Sequence, residues 1–415
     1  MTMCTGAGLP DVVVTGIVSS TALAADAEQT WQHLLAGRSA IGALTKPFVD
    51  KFDSPVRIGA ELQEDFDDSL SRIEVRRSSF MQKMSRVLAR RLWESAGSPE
   101  IDTTRLMVSI GQALASTEDL VFLYDDWLQR GMRAATPLAV QMNMPNAPAA
   151  AVGLDRSAKA GVITPIMADA SGAAAIAEAW RSIVLGEADI AICGGVEARI
   201  EAVPVASLSR LGMLSTNNDD PPGACRPFDE HRDGAVLGEG GALLLIETQD
   251  HATARGAKVL ARVMGASITS DGYDSVWPEP SGARAADTIT RALELAGLQP
   301  QVIDHINAHA TGTTLGDLAE ARAIDRAFGR HRPAVYAPKA ALGHCLGAAG
   351  AIDAVLTVQT LRDGVIPPTL NTKNLDPAID LDVVTGTPRR GDYRYAVSNA
   401  FGLGGHNVAL VFGTA

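Results

Sequence analysis

Short runs of β-branched and apolar residues alternate along this chain with alanine-rich segments of helical spacing, and this alternation restricts the fold more than any other feature. Four runs in the first part of the chain predict strands: DVVVTGI (11–17), RLMVSIG (105–111), ADIAICGG (188–195) and GALLLIE (241–247). Ile176, Trp180 and Ile183 follow helical spacing in the alanine-rich segment before the third run. Strands that alternate with helices predict an α/β protein.

The last part of the chain repeats this style. Its predicted strands lie within HINAHATG (305–312), AVYAPK (334–339) and NVALVFG (407–413), and its predicted helices cover 284–296 and 317–328. No run of Pro, Gly or Ser is long enough to be an interdomain linker, and residues 251–258 form a short polar predicted helix. We therefore expect an N-terminal half of residues 1–258 and a C-terminal half of residues 259–415.

Composition and charge exclude several classes of protein. Of the 415 residues, 46% are apolar and 20% are charged, which is enough to build a core without disulfide or metal staples. The 36 basic and 48 acidic residues give a net charge of −12, which disfavours a general surface for nucleic acid or anionic membrane. Because neither a secretory signal nor a bilayer-spanning stretch is visible, we expect a cytoplasmic protein without membrane insertion. The cysteines lack metal-ligand spacing and predict reduced thiols: Cys4, Cys193, Cys225 and Cys345.

Three glycine-flanked polar segments are candidates for chemistry, at residues 307–317, 338–351 and 398–407. The first contains His309 and the second contains His344. Either histidine alone more often has a structural role. Two imidazoles aimed at one point can donate two hydrogen bonds to a carbonyl oxygen that becomes anionic, which stabilises an oxyanion or an enolate.

These segments carry a resemblance that extends over essentially the whole chain. The chain resembles β-ketoacyl-[acyl carrier protein] synthases of the elongating, thiolase-fold type, and is most similar to the mycobacterial members that extend meromycolate precursors. The matching motifs are TWQHLLAGRSAIGAL, LWESAGSPEID, PLAVQMNMPN, RPFDEHRDGAVLGEGGALLLIE, and the run from VIPPTLN to GGHNVAL. The resemblance implies a five-layered α/β/α/β/α fold of two similar halves and a role in fatty acid or mycolic acid synthesis. It also implies a homodimer that binds an acyl carrier protein and holds no cofactor beyond the carrier's phosphopantetheine.

In that family a cysteine at a buried helix N-terminus accepts the acyl chain, and two histidines activate malonyl-carrier protein for decarboxylation. The resemblance assigns a role to each matching residue: His309 and His344 as the two histidines, Lys339 as the lysine that supports the second, Thr311 and Thr313 as contacts of the phosphopantetheine arm, Glu320 as a supporting carboxylate, and Phe401 as the gatekeeper whose backbone N–H helps to form the oxyanion hole.

The family's cysteine is missing. Members read roughly S/T-A-C-x-S-G where this chain reads MADASG at 167–172, so Asp169 stands at the nucleophile position. Neither Cys193, in a predicted strand, nor Cys345, beside His344, can replace it by position. The chain also departs from the usual pattern at four other positions: Met167 for Ser or Thr, Ala235 for Phe, Ala310 for Gly, and Leu403 within the GFGG motif.

Aspartate at this position changes the expected chemistry. A carboxylate that attacks a thioester forms a mixed anhydride, which is uphill, so condensation should be severely impaired. Decarboxylation of malonyl-carrier protein needs only His309 and His344, and it is the favoured activity. A non-catalytic partner or carrier-binding subunit, with Asp169 as a simple helix N-cap, is the main alternative, and residual condensation is a third. The protonation of Asp169 stays open, because the helix N-terminus favours the charged form and burial favours the neutral acid.

A carrier protein is acidic, so an acidic chain needs a local basic surface to bind it. The segment 72–91 supplies seven basic residues, and we expect Arg72, Arg76 and Arg77 to contact the carrier, although most charge runs are solvated helix faces. A heterodimer is the alternative to the implied homodimer. No metal site is expected, because His309 and His344 have no carboxylate or cysteine at ligand spacing.

Overall fold

The computed structural model describes residues 10–114, 116–134, 136–197 and 200–415, so Cys4 and the start of the chain lie outside the described residues. The strands of the described part are β1 Val12–Thr21, β2 Gly42–Ala43, β3 Ile58–Gly59, β4 Leu106–Gly111, β5 Gly161–Ile163, β6 Ile190–Glu197, β7 Gly240–Thr248, β8 Ala261–Ser270, β9 His305–Asn307, β10 Ala334–Tyr336, β11 Val365–Ile366, β12 Asp382–Val383, β13 Arg389–Arg390, β14 Tyr395–Gly402 and β15 His406–Gly413. The α-helices are α1 Ala27–Leu35, α2 Phe48–Lys51, α3 Arg72–Arg77, α4 Phe80–Ser95, α5 Thr117–Arg130, α6 Ala139–Asn143, α7 Ala147–Arg156, α8 Ser171–Val184, α9 Ala202–Arg210, α10 Pro221–Ala224, α11 Gln249–Ala254, α12 Ala283–Ala296, α13 Thr314–Phe328, α14 Lys339–Leu342 and α15 Ala349–Asp363.

One large sheet runs through the described part of the molecule, in the order β12-β10-β9-β14-β15-β8-β1-β7-β6-β4-β5. In the N-terminal half, β7 pairs antiparallel with β1 and β6, and β4 pairs parallel with β6 and β5. In the C-terminal half, β15 pairs antiparallel with β8 and β14, and β9 pairs parallel with β14 and β10. The two halves therefore repeat one strand pattern, although their sequences show no repeat by identity.

Five layers follow from the way the helices pack on this sheet. Helices α8 and α15 form the central layer, since α8 contacts β4 and β6 of one half as well as β8 and β15 of the other, and α15 contacts both β7 and β14. Helices α4 and α7 cover the outer face of the N-terminal strands, and α12 with α13 covers that of the C-terminal strands. The expected α/β/α/β/α arrangement is confirmed.

The two half-sheets are joined through β1 and β8, a connection that the sequence does not predict. Strands β1 and β8 pair only at Val12, Val13 and Val14. Beyond these residues each strand pairs within its own half, so the half-sheets separate and leave room for the central helices. Small residues let these helices approach closely, since a Cβ on Gly350 of α15 would lie 2.7 Å from that of Ala173 on α8. This close packing explains the alanine-rich sequence of both helices.

Candidate active site

A cavity of about 890 Å³, a volume that includes its opening to solvent, is lined by most of the predicted site residues. Its wall comes from the turn before α8, the loop after β9, the loop between α14 and α15, and the end of β14. The predicted residues that line it are Asp169, His309, Thr311, Thr313, Glu320, His344 and Phe401. Apolar side chains form much of the remaining wall, among them Leu208, Met213 and Leu237. The arrangement brings polar reacting groups together at one end of an apolar space.

His309 is positioned by a buried carboxyl group. After β9 the chain turns, and Glu320 on α13 accepts hydrogen bonds from the backbone N–H of His309 (2.9 Å) and of Ala310 (2.7 Å). Asn399 donates a third hydrogen bond to Glu320 from β14, at 3.1 Å. Burial raises the pKa of Glu320 to about 7 despite these donors. Burial, with the charge of Lys339, holds the pKa of His309 well below its ordinary value, so its imidazole is neutral.

His344 lies opposite His309, with ring centroids 5.5 Å apart and nearly perpendicular planes. Its backbone N–H donates to the carbonyl of Val236 at 2.7 Å, which fixes the loop that carries it. The nearby Lys339 is buried and pairs with Asp353 on α15 at 2.7 Å. Lys339 is therefore held by a second buried charge, and no sequence pattern indicates Asp353 because it lies inside a helix that is buried along most of its length.

Asp169 is not a helix N-cap, and this alternative for its role is wrong. The N-cap of α8 is Ala170, and no side chain caps that helix. Instead, Asp169 Oδ1 lies 3.1 Å from His344 Nε2, and Oδ2 accepts a hydrogen bond from the backbone N–H of Leu403 at 3.3 Å. Burial raises the pKa of Asp169, but these two donors and the charge of His344 outweigh it, so the net pKa lies below its ordinary value. The carboxyl group is therefore ionised.

The ring of Phe401 packs at 5.9 Å from that of His309, consistent with a residue at the cavity wall. The backbone N–H that reaches Asp169 belongs to Leu403 and not to Phe401. In the sequence Leu403 is only a departure from a motif, so its contact with Asp169 had to come from the structure. It follows that Asp169 draws both of its donors from the C-terminal half of the chain.

Two family models account for the chain. The beta-ketoacyl synthase N-terminal domain matches residues 10–252, and the C-terminal domain of the same family matches residues 260–373. The 3-oxoacyl-[acyl-carrier-protein] synthase 2 of Mycobacterium tuberculosis (strain ATCC 25618 / H37Rv) is 66% identical over 412 residues, which are 99% of each chain. The chain belongs to the beta-ketoacyl synthase family. The synthase of the same name from Mycobacterium leprae is 64% identical over 99% of this chain and 98% of that protein.

Solved ketosynthase structures agree with this assignment. A beta-ketoacyl synthase from Burkholderia phymatum superimposes with a TM-score of 0.91 at 33% identity, covering 98% of this chain and 100% of that one. The ishigamide ketosynthase/chain length factor superimposes with a TM-score of 0.89 at 28% identity and the same coverage. The family and fold expected from the sequence are thus confirmed.

The other predicted residues lie outside the cavity. Arg72, Arg76 and Arg77 are exposed on α3. The remaining basic residues of segment 72–91 are neutralised by carboxylates: Lys83 by Asp67, Arg86 by Asp155, Arg90 by Glu74 and Arg91 by Glu64. The basic surface of this chain is therefore smaller than its sequence indicates.

Among residues 10–114, 116–134, 136–197 and 200–415, His, Cys, Asp and Glu side chains form no group of three that could hold a metal ion. Within the same ranges, none of the helices combines the length and the apolar character that crossing a membrane requires.

Proposed function

We propose that this ketoacyl synthase relative decarboxylates malonyl groups that an acyl carrier protein delivers on its phosphopantetheine thiol. The observation that carries the proposal is the intact pair of facing imidazoles, His309 and His344, beside a carboxylate at the family's nucleophile position. His309 is held by Glu320, and the buried Lys339–Asp353 pair, whose lysine the family resemblance assigns to the second imidazole, is also present. A site that had lost all chemistry would not need these buried charged groups, which are costly to fold.

The reaction needs no nucleophile on the protein. The bond between the malonyl carboxylate and its α-carbon breaks, carbon dioxide leaves, and negative charge develops on the thioester oxygen. N–H groups of His309 and His344 that face this oxygen stabilise the enolate as it forms. The α-carbon then takes a proton, and the product is an acetyl thioester.

Condensation is disfavoured because none of the thiols in the described part of the chain lines the cavity. Of the cysteines that the structure describes, Cys193, Cys225 and Cys345 are all buried. Burial raises the pKa of each of these thiols, that of Cys225 to about 12, so they are unreactive. The acyl group has only Asp169 to attack it, and the resulting anhydride lies uphill of the thioester.

One observation favours a second candidate function, that of a non-catalytic carrier-binding or partner subunit. The carboxylate of Asp169 already occupies His344 Nε2 and the Leu403 N–H. A malonyl thioester must displace it from His344 before that imidazole can donate to the thioester oxygen. If displacement is too costly, the cavity binds its substrate without turning it over.

Assembly is proposed on separate grounds. The exposed arginines of α3, Arg72, Arg76 and Arg77, suit an acidic carrier protein. Strand β5 is at the edge of the described sheet, and its Val162 and Ile163 are 40% and 37% exposed. Exposed apolar edges of this kind are normally covered, and a second copy of the chain fits best with the homodimer expected for the family.

Mass spectrometry of malonyl-carrier protein incubated with wild-type protein, with His309→Ala and with His344→Ala tests the proposal. We expect time-dependent acetyl-carrier protein from the wild type and a loss of about 10²–10³-fold in each variant, as for removal of an oxyanion donor. Unchanged malonyl-carrier protein, with measurable binding, would establish the non-catalytic alternative. Sedimentation of the same samples reports whether the chain is a dimer.

A further inference from the structure

Decarboxylation makes no use of the ionised carboxylate of Asp169, which lines the cavity. It is 8% exposed and faces the space into which the proposed function delivers thioesters. Its two oxygens contact His344 Nε2 and the Leu403 N–H. These contacts set the orientation of the carboxylate and favour its charged form. A carboxylate held beside a thioester carbonyl can attack the carbonyl carbon as a nucleophile.

The turn that carries Asp169 is rigid. Ala168 has a φ of 48°, in the left-handed region that non-glycine residues rarely occupy. Ser171 closes the turn, since its hydroxyl donates to the Ala168 carbonyl at 2.6 Å and accepts from the Met167 N–H at 2.8 Å. Strand β14 packs directly on it, because a Cβ on Gly402 would lie 2.6 Å from the Met167 carbonyl oxygen. The carboxylate is therefore held at one place in the cavity.

We propose that this cavity also hydrolyses uncharged acyl thioesters, with Asp169 as the nucleophile. The substrate class is a saturated acyl group on phosphopantetheine, which suits the apolar wall that includes Leu208, Met213 and Leu237. The inference rests on the part of the proposed function that delivers thioesters to the cavity, and not on decarboxylation.

A carboxylate oxygen of Asp169 attacks the thioester carbonyl carbon, the carbon–sulfur bond breaks, and the thiolate leaves and takes a proton from solvent. Water then adds to the acyl carbon of the mixed anhydride, and the neutral His309 accepts its proton and returns it to solvent. The bond between the acyl carbon and the Asp169 oxygen breaks, and the net change is thioester plus water to carboxylic acid plus thiol.

The donors around Asp169 favour hydrolysis over storage of the acyl group. When water expels Asp169 from the anhydride, His344 and the Leu403 N–H receive the released carboxylate in the arrangement seen in the structure. An uphill anhydride can still carry flux, because its hydrolysis is irreversible. A thioester of the family's usual cysteine lacks this stabilised leaving group.

The charge of the acyl group determines which of the two reactions it undergoes in the cavity. The malonyl carboxylate is repelled by Asp169, which keeps its carbonyl from the attack position and leaves it to lose carbon dioxide beside the imidazoles. An uncharged acyl group meets no such repulsion. Hydrolysis and decarboxylation therefore act on different acyl groups.

Two probes test the inference, octanoyl-carrier protein and the small thioester octanoyl-N-acetylcysteamine, which reaches the cavity without carrier docking. We expect the wild type to release octanoate from both, and Asp169→Asn and Asp169→Ala to lower this rate at least 100-fold. Asp287→Asn, which removes an exposed carboxylate on α12, should leave the rate within twofold. Hydroxylamine should form octanohydroxamate faster with the wild type than with the Asp169 variants, which should show only the direct reaction of hydroxylamine with the thioester.

The outcomes separate this inference from the proposed function. Octanoate release that is equal in the wild type and in folded Asp169→Asn, or absent with both probes, overturns the hydrolase. Acetyl-carrier protein formed from malonyl-carrier protein in the same preparations would leave decarboxylation standing. Hydrolysis of the small thioester without any decarboxylation would overturn the proposed function and leave the hydrolase. Thermal unfolding of each variant checks that its fold is intact.

Discussion

The two halves of the molecule each bury a carboxyl group that accepts hydrogen bonds from two consecutive backbone N–H groups, yet only one of these groups supports the cavity. In the C-terminal half, Glu320 binds the N–H groups of His309 and Ala310. In the N-terminal half, Glu197 binds those of Ala113 and Leu114, at 2.6 and 2.9 Å. Neither Ala113 nor Leu114 is among the residues that line the cavity. The same device therefore positions a reacting imidazole in one half and only a chain segment in the other.

This difference shows how the site can change its chemistry by one residue. The imidazoles, their supporting carboxyl group and the Lys339–Asp353 pair all belong to the C-terminal half. The N-terminal half contributes Asp169, which depends for its contacts on His344 and Leu403. A substitution at position 169 alters the acyl-acceptor group and the partner of His344, and it leaves the contacts between Glu320 and His309 in place.

The largest expected effect comes from restoring a thiol to the N-terminal half. Asp169→Cys should produce condensation of an acyl group with malonyl-carrier protein, by at least about 10⁴-fold over the wild type, on the scale of losing a nucleophile in other acyl-transfer enzymes. The physical reason is that a thioester on the protein is transferable without the uphill anhydride. Mass spectrometry of the β-ketoacyl product measures it.

Asp169→Ala is the matched control, since it removes the carboxylate without supplying a thiol. Condensation by Asp169→Cys alone assigns the lost activity to this one position. If neither variant condenses while both still bind carrier protein, the other departures from the family pattern, such as Met167 and Ala235, have also disabled acyl binding.

The pH dependence of stability distinguishes the two buried carboxyl groups. Burial raises the pKa of Glu197 to about 8 and that of Glu320 to about 7, from 4.5. A carboxyl group whose pKa is raised in the folded state contributes its full stability below pH 4.5. This contribution is lost as the pH rises through the pKa of the folded state. At about 1.4 kcal/mol per unit, the loss is about 5 kcal/mol for Glu197 and about 3 kcal/mol for Glu320.

Glutamine substitutions should affect the two carboxyl groups differently. Glu197 accepts both of its backbone hydrogen bonds on one oxygen, whereas Glu320 accepts its two backbone hydrogen bonds on different oxygens. Glu197→Gln keeps both bonds, and denaturant unfolding between pH 4.5 and 8 should show a flatter pH profile with decarboxylation unchanged. Glu320→Gln flattens the profile less, loses the bond to Ala310 and should slow decarboxylation. Identical effects on activity would mean that Glu320 does not position His309.

The sequence predicts the fold far better than the contacts within the site. Runs such as 188–195 and 241–247 are buried on both faces, and continuous apolar runs of this kind indicate strands without knowledge of their neighbours. The strand predicted within 305–312 ends at Asn307, because the following backbone binds Glu320 and leaves the sheet. The joining of β1 to β8 involves three residue pairs and has no sequence signal.

Within the site, the resemblance identifies which residues meet but not how they bond. Asp169 and His344 are 175 positions apart, and their contact depends on the relative placement of α8 and the loop after α14. The ionisation of Asp169 is likewise a balance of burial against two donors, and neither donor is adjacent in sequence. Short-range sequence patterns do not reveal these long-range contacts, so they cannot exclude an N-cap role for Asp169. The structure excludes it, because the N-cap of α8 is Ala170.

The smallest expected effect concerns the surface of the N-terminal half, where exposed and paired arginines lie on neighbouring helices. Arg76→Glu with Arg77→Glu on α3 should weaken carrier binding about tenfold, or 1.4 kcal/mol, because exposed charge pairs contribute less than about 1 kcal/mol each. Binding by the variant should also depend less on salt. Titration of the carrier protein at two ionic strengths measures both changes.

The control for this docking surface must change net charge equally. Arg38→Glu with Arg330→Glu replaces two other exposed arginines and makes the same change of −4 in an already acidic chain. If net charge alone attracts the carrier protein, both double variants should lose the same amount of binding affinity. That result would exclude α3 from the interface. Weakening confined to the α3 variant would place the carrier beside residues 72–77, because only a local contact distinguishes two variants of identical charge.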